Sequence, residues 1–363
     1  MHRYRCFALM FGLLLVAAAP PPFKTTTIAS GLDHPWSIAF LPDGRALVTE
    51  RAGRLRVLDH GKLLPAAIAG VPAVVVDGQA GLFEIALHPA FARNHMIYLS
   101  YIAGTAKAHS LRLARARFDG DRLSDVHEVW RQKPEFSSTA NLGGRIAFLP
   151  DGTLVMSVGD AFEYKNDAQQ LGNDYGKLIR LNDDGSVPAD NPFSGRVGAD
   201  PAIWSYGNRN AQGLAFDPVR RRLFEHEHGP QGGDEINVIE RGKNYGWPAA
   251  TYGIDYDNSI ISKFKTLPGM VDGIVVWVPS IAPSGLAVYR GAMFPEWQGD
   301  LLVGALKAQQ LRVIDLDAAG RVRGQAVILE DFGARIRDVR VAPDGSVWLA
   351  TDDEDGKLVR LSR

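Results

Sequence analysis

One hairpin pattern returns six times along the chain: a short apolar run ending in or just before proline, a polar turn, then a second apolar run ending in acid or base. The clear copies are Ile38–Glu50, Ile85–Tyr101, Ile146–Asp160, Leu214–His228 and Val339–Asp353, with a looser copy from Leu286 through Pro295 to Leu306. Their prolines, at positions 42, 89, 150, 218, 295 and 343, are separated by 47, 61, 68, 77 and 48 residues. A bare four-stranded blade takes about 40 to 50 residues, so the middle units carry long loops. Pro-Asp-Gly between β-rich runs makes a turn because Pro presets φ and Gly takes positive φ. No stretch sustains a 3.6-residue period, and no linker divides the repeats. The pattern predicts an all-β chain closed into one six-bladed β-propeller with loop insertions on one face. A β-sandwich is the weaker alternative. The strand-like Lys24–Ile28 would complete the last blade beside Lys357–Leu361.

Polar residues stand just before the first run of several copies: Gln79, Arg145, Arg209 with Asn210 and Gln212, Ser284, and Arg335 with Arg337. In a closed ring these positions converge around the axis, so residues far apart in sequence would line one central pocket. Asp160 and Lys307 fall at or just after second runs, and the sequence leaves open which face those ends share.

Insertions gather at Ala161–Pro201 and Gly229–Pro283. In the second, Gly229 and Pro230 offer carbonyls beside Asp234 and Glu235, oxygen ligands of the kind that a hard cation such as calcium prefers. An arginine near such a cation suits an anionic, oxygen-rich ligand. The stretch reads equally as a structural loop with glycines for turn geometry. His226 and His228 fit either paired ligands or satisfied histidines, Arg220–Arg222 a solvated hairpin turn, and Asp352–Asp355 an acidic β-turn.

A formal net charge of −1 gives no electrostatic case for nucleic acid. His2, Arg3 and Arg5 precede an apolar stretch, Cys6–Ala19, that ends in Ala17-Ala18-Ala19. This is the pattern of a secretory signal peptide over 1–19, leaving 20–363 as a single propeller domain in a periplasmic or secreted protein. The stretch falls short of the roughly 18 apolar residues a membrane span needs, so no membrane insertion is expected. Cys6 is the one cysteine and would leave with the signal, so stability rests on packing or bound ions rather than disulfides.

Seven motifs then occur in order: D-G-Q-A-G-L from Asp77, G-G-R-I from Gly143, Y-G-N-R-N-A-Q-G from Tyr206, E-H-G-P-Q-G-G-D-E-I-N from Glu227, G-K-N-Y-G-W-P from Gly242, G-A-L-K from Gly304 and R-I-R-D-V-R from Arg335. With these the chain resembles the soluble pyrroloquinoline-quinone (PQQ)-dependent sugar dehydrogenases, the glucose/sorbosone dehydrogenase group and its periplasmic aldose dehydrogenases. The resemblance implies a six-bladed propeller whose quinone is contacted at the positions of Gln79, Arg209, Asn210, Gln212, Lys307, Arg335 and Arg337. It implies a catalytic calcium on backbone oxygens at Gly229 and Pro230, and a structural calcium involving Glu235 and Tyr245. It implies hydride transfer from the anomeric carbon of an aldose to the quinone, giving a lactone, with electrons passing to a soluble or membrane-bound acceptor. Calcium and Arg209 would polarise the quinone carbonyl.

The resemblance breaks at one position. The family's general base is a histidine oriented by an aspartate at the position of Asp160, and here S-T-A-N-L-G-G-R puts Asn141 in its place. An amide cannot take a proton near neutral pH. Two other readings follow: a quinone- or sugar-binding propeller without turnover, and a metal-dependent lactonase-like propeller. The second is disfavoured because such sites gather carboxylates on one metal, whereas this pocket is expected to be rich in arginine and lysine.

Overall fold

Each repeated hairpin supplies the two inner strands of one sheet, and its proline lies in the turn between them. In a computed structural model describing residues 22–363, the inner strands are Pro35–Phe40, Leu82–Leu87, Gly143–Phe148, Ala211–Asp217, Pro283–Val288 and Ile336–Val341. Each heads an antiparallel four-stranded sheet. Each inner strand packs against that of the next sheet, and Ile336–Val341 returns to Pro35–Phe40, so six blades close a circle. A sandwich is thereby excluded. The segment predicted as a signal peptide, 1–19, lies outside the described residues.

The Pro-Asp-Gly turns behave as their chemistry requires: Gly44, Gly152 and Gly345 have φ of 89°, 84° and 84°, a region that a Cβ makes costly. The ring is latched by its own ends. Lys24–Leu32 pairs antiparallel with Gly356–Ser362, Lys24 opposite Ser362 and Thr27 opposite Val359. The last blade therefore takes its outermost strand from the start of the chain, as the strand-like Lys24–Ile28 predicts.

The apolar core sits between blades rather than within one. Leu47 and Leu55 of the first blade meet Ile97 and Leu99 of the second, and Leu302 and Val313 of the fifth meet Leu349 and Val359 of the sixth. Each such side chain contributes about 1.5–3 kcal/mol of burial. Arg220 is not the solvated turn residue expected from its Arg-Arg-Arg run. It donates to Asp217 Oδ2 at 2.8 Å and to the Gly299 and Asp317 carbonyls at 2.6 and 2.8 Å, clamping the fourth blade to the fifth.

Strand alternation also fixes the face that sequence left open. In an antiparallel blade the chain enters the first strand and leaves the second at the same end. Gln79, Asn141, Arg209 and Arg335 precede first strands, while Arg51, Asp160, Lys307 and Asp352 follow second strands. All therefore gather at one end of the ring. The connections 159–176, 228–233 and 240–274 meet there too, joined by hydrogen bonds such as Gln169 Nε2 to the Trp247 carbonyl at 2.7 Å.

Candidate active site

Below that end the axis is plugged. Arg145, expected in the pocket, is buried beneath it, donating to Glu84 at 2.9 Å, Asp338 at 2.8 Å and the carbonyls of Gln212 and Arg337 at 2.9 and 2.7 Å. Arg340 reaches the same two carboxylates from the sixth blade. The Arg145 guanidinium lies 3.9 Å from the Trp36 ring centroid, and Trp36 leans on Phe83. This layer makes a closed floor.

Above it lies an axial cavity of about 240 Å3, lined by Gln79, Asn210, Gln212, Arg335 and Arg337, as the sequence predicts, together with Arg51, His228 and Asp352. Lys307 is exposed and follows Leu306, which lines the wall, so it stands at the rim. Arg337 donates to Gln212 Oε1 at 3.1 Å and Asp352 Oδ2 at 2.7 Å, while its buried Nε has no partner. Burial opposes the charge of Asp352, but Arg337, His34 and Arg335 together hold its carboxyl well below the usual range. In sequence Asp352 reads as part of an acidic turn; in the fold it orients two cations.

His228 is a satisfied histidine, its Nε2 against the Pro283 carbonyl at 2.7 Å. Burial, with Arg209, His226 and Arg337 nearby, draws it down to about 3, so it is neutral. His226 likewise meets the Gly285 carbonyl at 3.1 Å. The two do not form a metal pair.

Beside the axial cavity is a second of about 70 Å3, walled by Asp160, Phe162, Lys165, Arg209, Pro230, Trp247 and Asp255. Asp160 Oδ1 accepts from Asn141 Nδ2 and from the Phe162 amide, each at 2.9 Å, and its Oδ2 accepts from Trp247 Nε1 at 2.9 Å. Burial raises its pKa despite the Arg209 charge and these donors. Asn141 sits at φ 57°, a left-handed conformation that asparagine tolerates. The pair that resemblance implied is assembled, with an amide where the imidazole would be.

Arg209 faces this second cavity rather than the axial one. Its Nη1 donates to the carbonyls of His228 and Gly229 at 3.0 and 3.2 Å, and its guanidinium lies 5.2 Å from the Trp247 ring. The Gly229 oxygen expected to hold a catalytic cation is therefore engaged by a guanidinium, which such a cation would have to displace.

A third, smaller cavity of about 20 Å3 holds Glu227, Gly229, Glu235 and Tyr245. Asn237 Nδ2 bridges the carboxyls of Glu225, Glu227 and Glu235 at 3.1, 3.4 and 3.1 Å. Burial foremost, then neighbouring carboxylates, pushes Glu225 and Glu227 well above the ordinary range. Burial with the charges of Asp272 and Asp234 pushes Glu235 up to about 7. Glu225 Oε1, Asn208 Oδ1 and Asn237 Oδ1 are buried acceptors without a donor. Among the described residues no three acidic or histidine side chains cage a metal by themselves. An ion here would need amide and carbonyl oxygens as well, the mixed oxygen shell that calcium accepts. The Tyr245 hydroxyl is committed to the Val238 carbonyl at 2.8 Å, leaving its backbone as the ligand it can offer.

Sequence reading missed Arg51, Trp36, Asp352, Lys165 and Asp255. The first four carry no motif that marks them. Asp255 lies in a loop whose path from blade to pocket only the fold reveals.

The chain is similar to known proteins along nearly its whole length. The Glucose / Sorbosone dehydrogenase family profile matches residues 32–360. The aldose sugar dehydrogenase YliI of Escherichia coli (strain K12) is 41% identical, covering 100% of this chain and 99% of its own. A crystal structure of glucose dehydrogenase superposes with TM-score 0.90 at 41% identity, covering 93% of this chain and 99% of that one. The PQQ-bound form of aldose sugar dehydrogenase from Streptomyces coelicolor superposes with TM-score 0.78 at 31% identity, covering 95% and 99%. The chain belongs to the glucose/sorbosone dehydrogenase family.

Proposed function

We propose that this protein oxidises aldose sugars at the anomeric carbon to lactones, using PQQ in the axial cavity and calcium beside it, and passes the electrons to a separate acceptor. The observation that carries this reading is the convergence of Arg51, Arg335 and Arg337 with three side-chain amides over an aromatic floor. A planar, multiply anionic ligand answers such a lining, because guanidinia bind carboxylates with directed, charge-assisted bonds. The partnerless buried Nε of Arg337 is a donor suited to such a ligand. When bound, the quinone supplies the two-electron acceptor that no side chain can provide.

The chain's own residues would do the rest. Arg337, Gln212 and Asn210 orient the ligand, and Asp352 keeps Arg335 and Arg337 pointed inward. Arg209, over Trp247, places fixed positive charge in the small cavity beside Asp160. Phe162, which walls the small cavity, stacks with Tyr256 at a ring-centroid distance of 6.1 Å, and both rings are exposed at its outer lip. Glu227, Glu235, Asn208 and Asn237 would hold a structural calcium. The segment before residue 20 supports export, in keeping with a periplasmic site of action.

A second reading, a quinone-binding propeller without turnover, is favoured by Asn141 alone. Reconstitution with calcium and PQQ, followed by an absorbance scan and an artificial-acceptor assay with several aldoses, separates them. Turnover supports the dehydrogenase. Cofactor binding without turnover supports the second reading, and an unchanged spectrum removes both.

A further inference from the structure

If the chain is a dehydrogenase, some group must accept the anomeric hydroxyl proton that Asn141 cannot take. We propose that Asp255 is this proton acceptor, an inference that rests on the dehydrogenase reading above.

The titratable groups around the cavities are few, and the others are committed. Asp160 is buried, with three donors on its two oxygens. His228 gives its Nε2 hydrogen to a carbonyl and lies in the axial cavity among arginines. Asp352 is bound by Arg335, Arg337 and His34. Glu227 and Glu235 belong to the separate acidic cavity.

Asp255 differs in its exposure and in carrying a single donor on each oxygen. It walls the same small cavity as Asp160, Arg209 and Trp247, and its side chain is 26% exposed. Its Oδ2 accepts from Lys165 Nζ at 2.7 Å and its Oδ1 from the Tyr256 amide at 2.9 Å. Each oxygen keeps a free lone pair, since an ionised carboxylate has about four acceptor sites. The Lys165 ion pair and the Tyr256 amide, with Arg209 nearby, hold its carboxyl below the usual range against the opposing effect of burial.

The group is also held in place. Gln231 Nε2 donates to the Asp255 carbonyl at 2.6 Å, and the Asp255 amide donates to the Ser259 carbonyl at 3.0 Å. The neighbouring Tyr256 ring lies 6.0 Å from the Arg209 guanidinium, so this loop tip roofs the arginine. On its outer side Asp255 borders an open cavity of about 330 Å3 that leads a proton away to solvent.

In the step itself the sugar O–H bond breaks with its proton moving to an Asp255 oxygen. The C1–H bond breaks with its electron pair leaving for the quinone, and the C1=O bond of the lactone forms. The sugar is oxidised by two electrons and the quinone reduced by two. Asp255 then returns the proton to water.

The test uses holoprotein loaded with calcium and PQQ, with aldose turnover and quinone absorbance measured in parallel. Loss of the base costs about 10²- to 10⁴-fold, so Asp255→Asn should lower kcat by at least 100-fold with quinone binding unchanged. Asp255→Glu should retain more activity than Asp255→Asn. Lys165→Met breaks the same ion pair but keeps the carboxylate, and should lose less than about 10-fold. Adding Asn141→His to Asp255→Asn should recover turnover, which a merely structural role for Asp255 would not allow. The proposal is overturned if Asp255→Asn turns over like the parent, or if Lys165→Met loses as much. Wild-type protein that binds quinone without turnover sinks the dehydrogenase reading itself, an outcome distinct from either.

Discussion

Asn141 donates its side-chain amide to Asp160 Oδ1 at 2.9 Å across the mouth of the third blade's inner hairpin, where Asp160 walls the small cavity. The acceptor is therefore already in place for any side chain that brings an N–H to that position. Trp247 and the Phe162 amide fix the carboxylate from its other sides. What the amide lacks is a second nitrogen able to take a proton.

Asn141→His should therefore install a base rather than disrupt the site. One ring nitrogen would donate to Asp160, leaving the other to face the cavity as acceptor. A general base contributes about 10²- to 10⁴-fold. Because Asp255 already serves, the gain in kcat with an aldose should be smaller than this range, about 10-fold or more. Quinone absorbance should not change. An unaltered or lower kcat with normal cofactor binding would count against the alignment of residue 141 with the family's histidine.

Arg145 holds two buried carboxylates from different blades, Glu84 and Asp338, and two carbonyls besides. Removing one partner of a buried ion pair leaves uncompensated charge and costs about 3–5 kcal/mol. Arg145→Met should lower urea-unfolding stability by that order. Arg145→Lys should also be destabilised, because an ammonium cannot reproduce the planar fork. A loss below about 1 kcal/mol for the methionine variant would show that Arg340 alone suffices for both carboxylates.

The ring was legible in sequence because its unit is local: Ile146–Asp160 and Val339–Asp353 each carry most of an inner hairpin within fifteen residues. Gln79, Asn210, Gln212 and Arg337 were legible because position relative to a first strand fixes them near the axis. Depth along the axis was not. Arg145 directly precedes Ile146 as Asp338 precedes Val339, whereas Arg337 lies one position earlier, and that one-residue offset separates a floor peg from a side chain that faces the cavity. Asp352 was hidden because an acid followed by three acids reads as a turn, and its partners Arg335 and His34 are 17 and 318 residues away. Asp255 and Lys165 meet only because two inserted loops cross at the pocket, which no local pattern encodes.

Asp352 gives a pH dependence with a defined sign. Its folded pKa lies below the ordinary 3.8 because Arg337, His34 and Arg335 outweigh the cost of burial. The unfolded chain thus takes up this proton first on acidification. The stability contributed by the carboxylate is complete above its unfolded pKa and is lost as pH falls from there towards the folded value. Asp352→Asn should be less stable than wild type at pH 7 by about 1.5–3 kcal/mol, the worth of hydrogen bonds to a charged group. Its stability should fall less steeply with acid below about pH 4. Parallel wild-type and variant curves through that window would show that Asp352 carries no such charge.

The acidic cavity around Glu235 makes the last expectation. Three carboxyls within reach of one Asn237 amide repel one another, and three buried oxygens nearby lack donors. A divalent cation would relieve both at once, and binding only the folded state it would stabilise that state by mass action. At calcium 100 times its Kd the gain is about 2.7 kcal/mol. Chelator-treated protein should melt at a lower temperature and recover on adding calcium. Magnesium should recover less, since it keeps its waters and demands an octahedral shell. Glu235→Gln removes a carboxylate ligand and one of the repelling charges together. The variant without calcium should therefore melt no lower than chelated wild type, and calcium should no longer raise it. A calcium shift that survives Glu235→Gln would move the ion to another site, with the carbonyls of Gly229 and Pro230 the next to test.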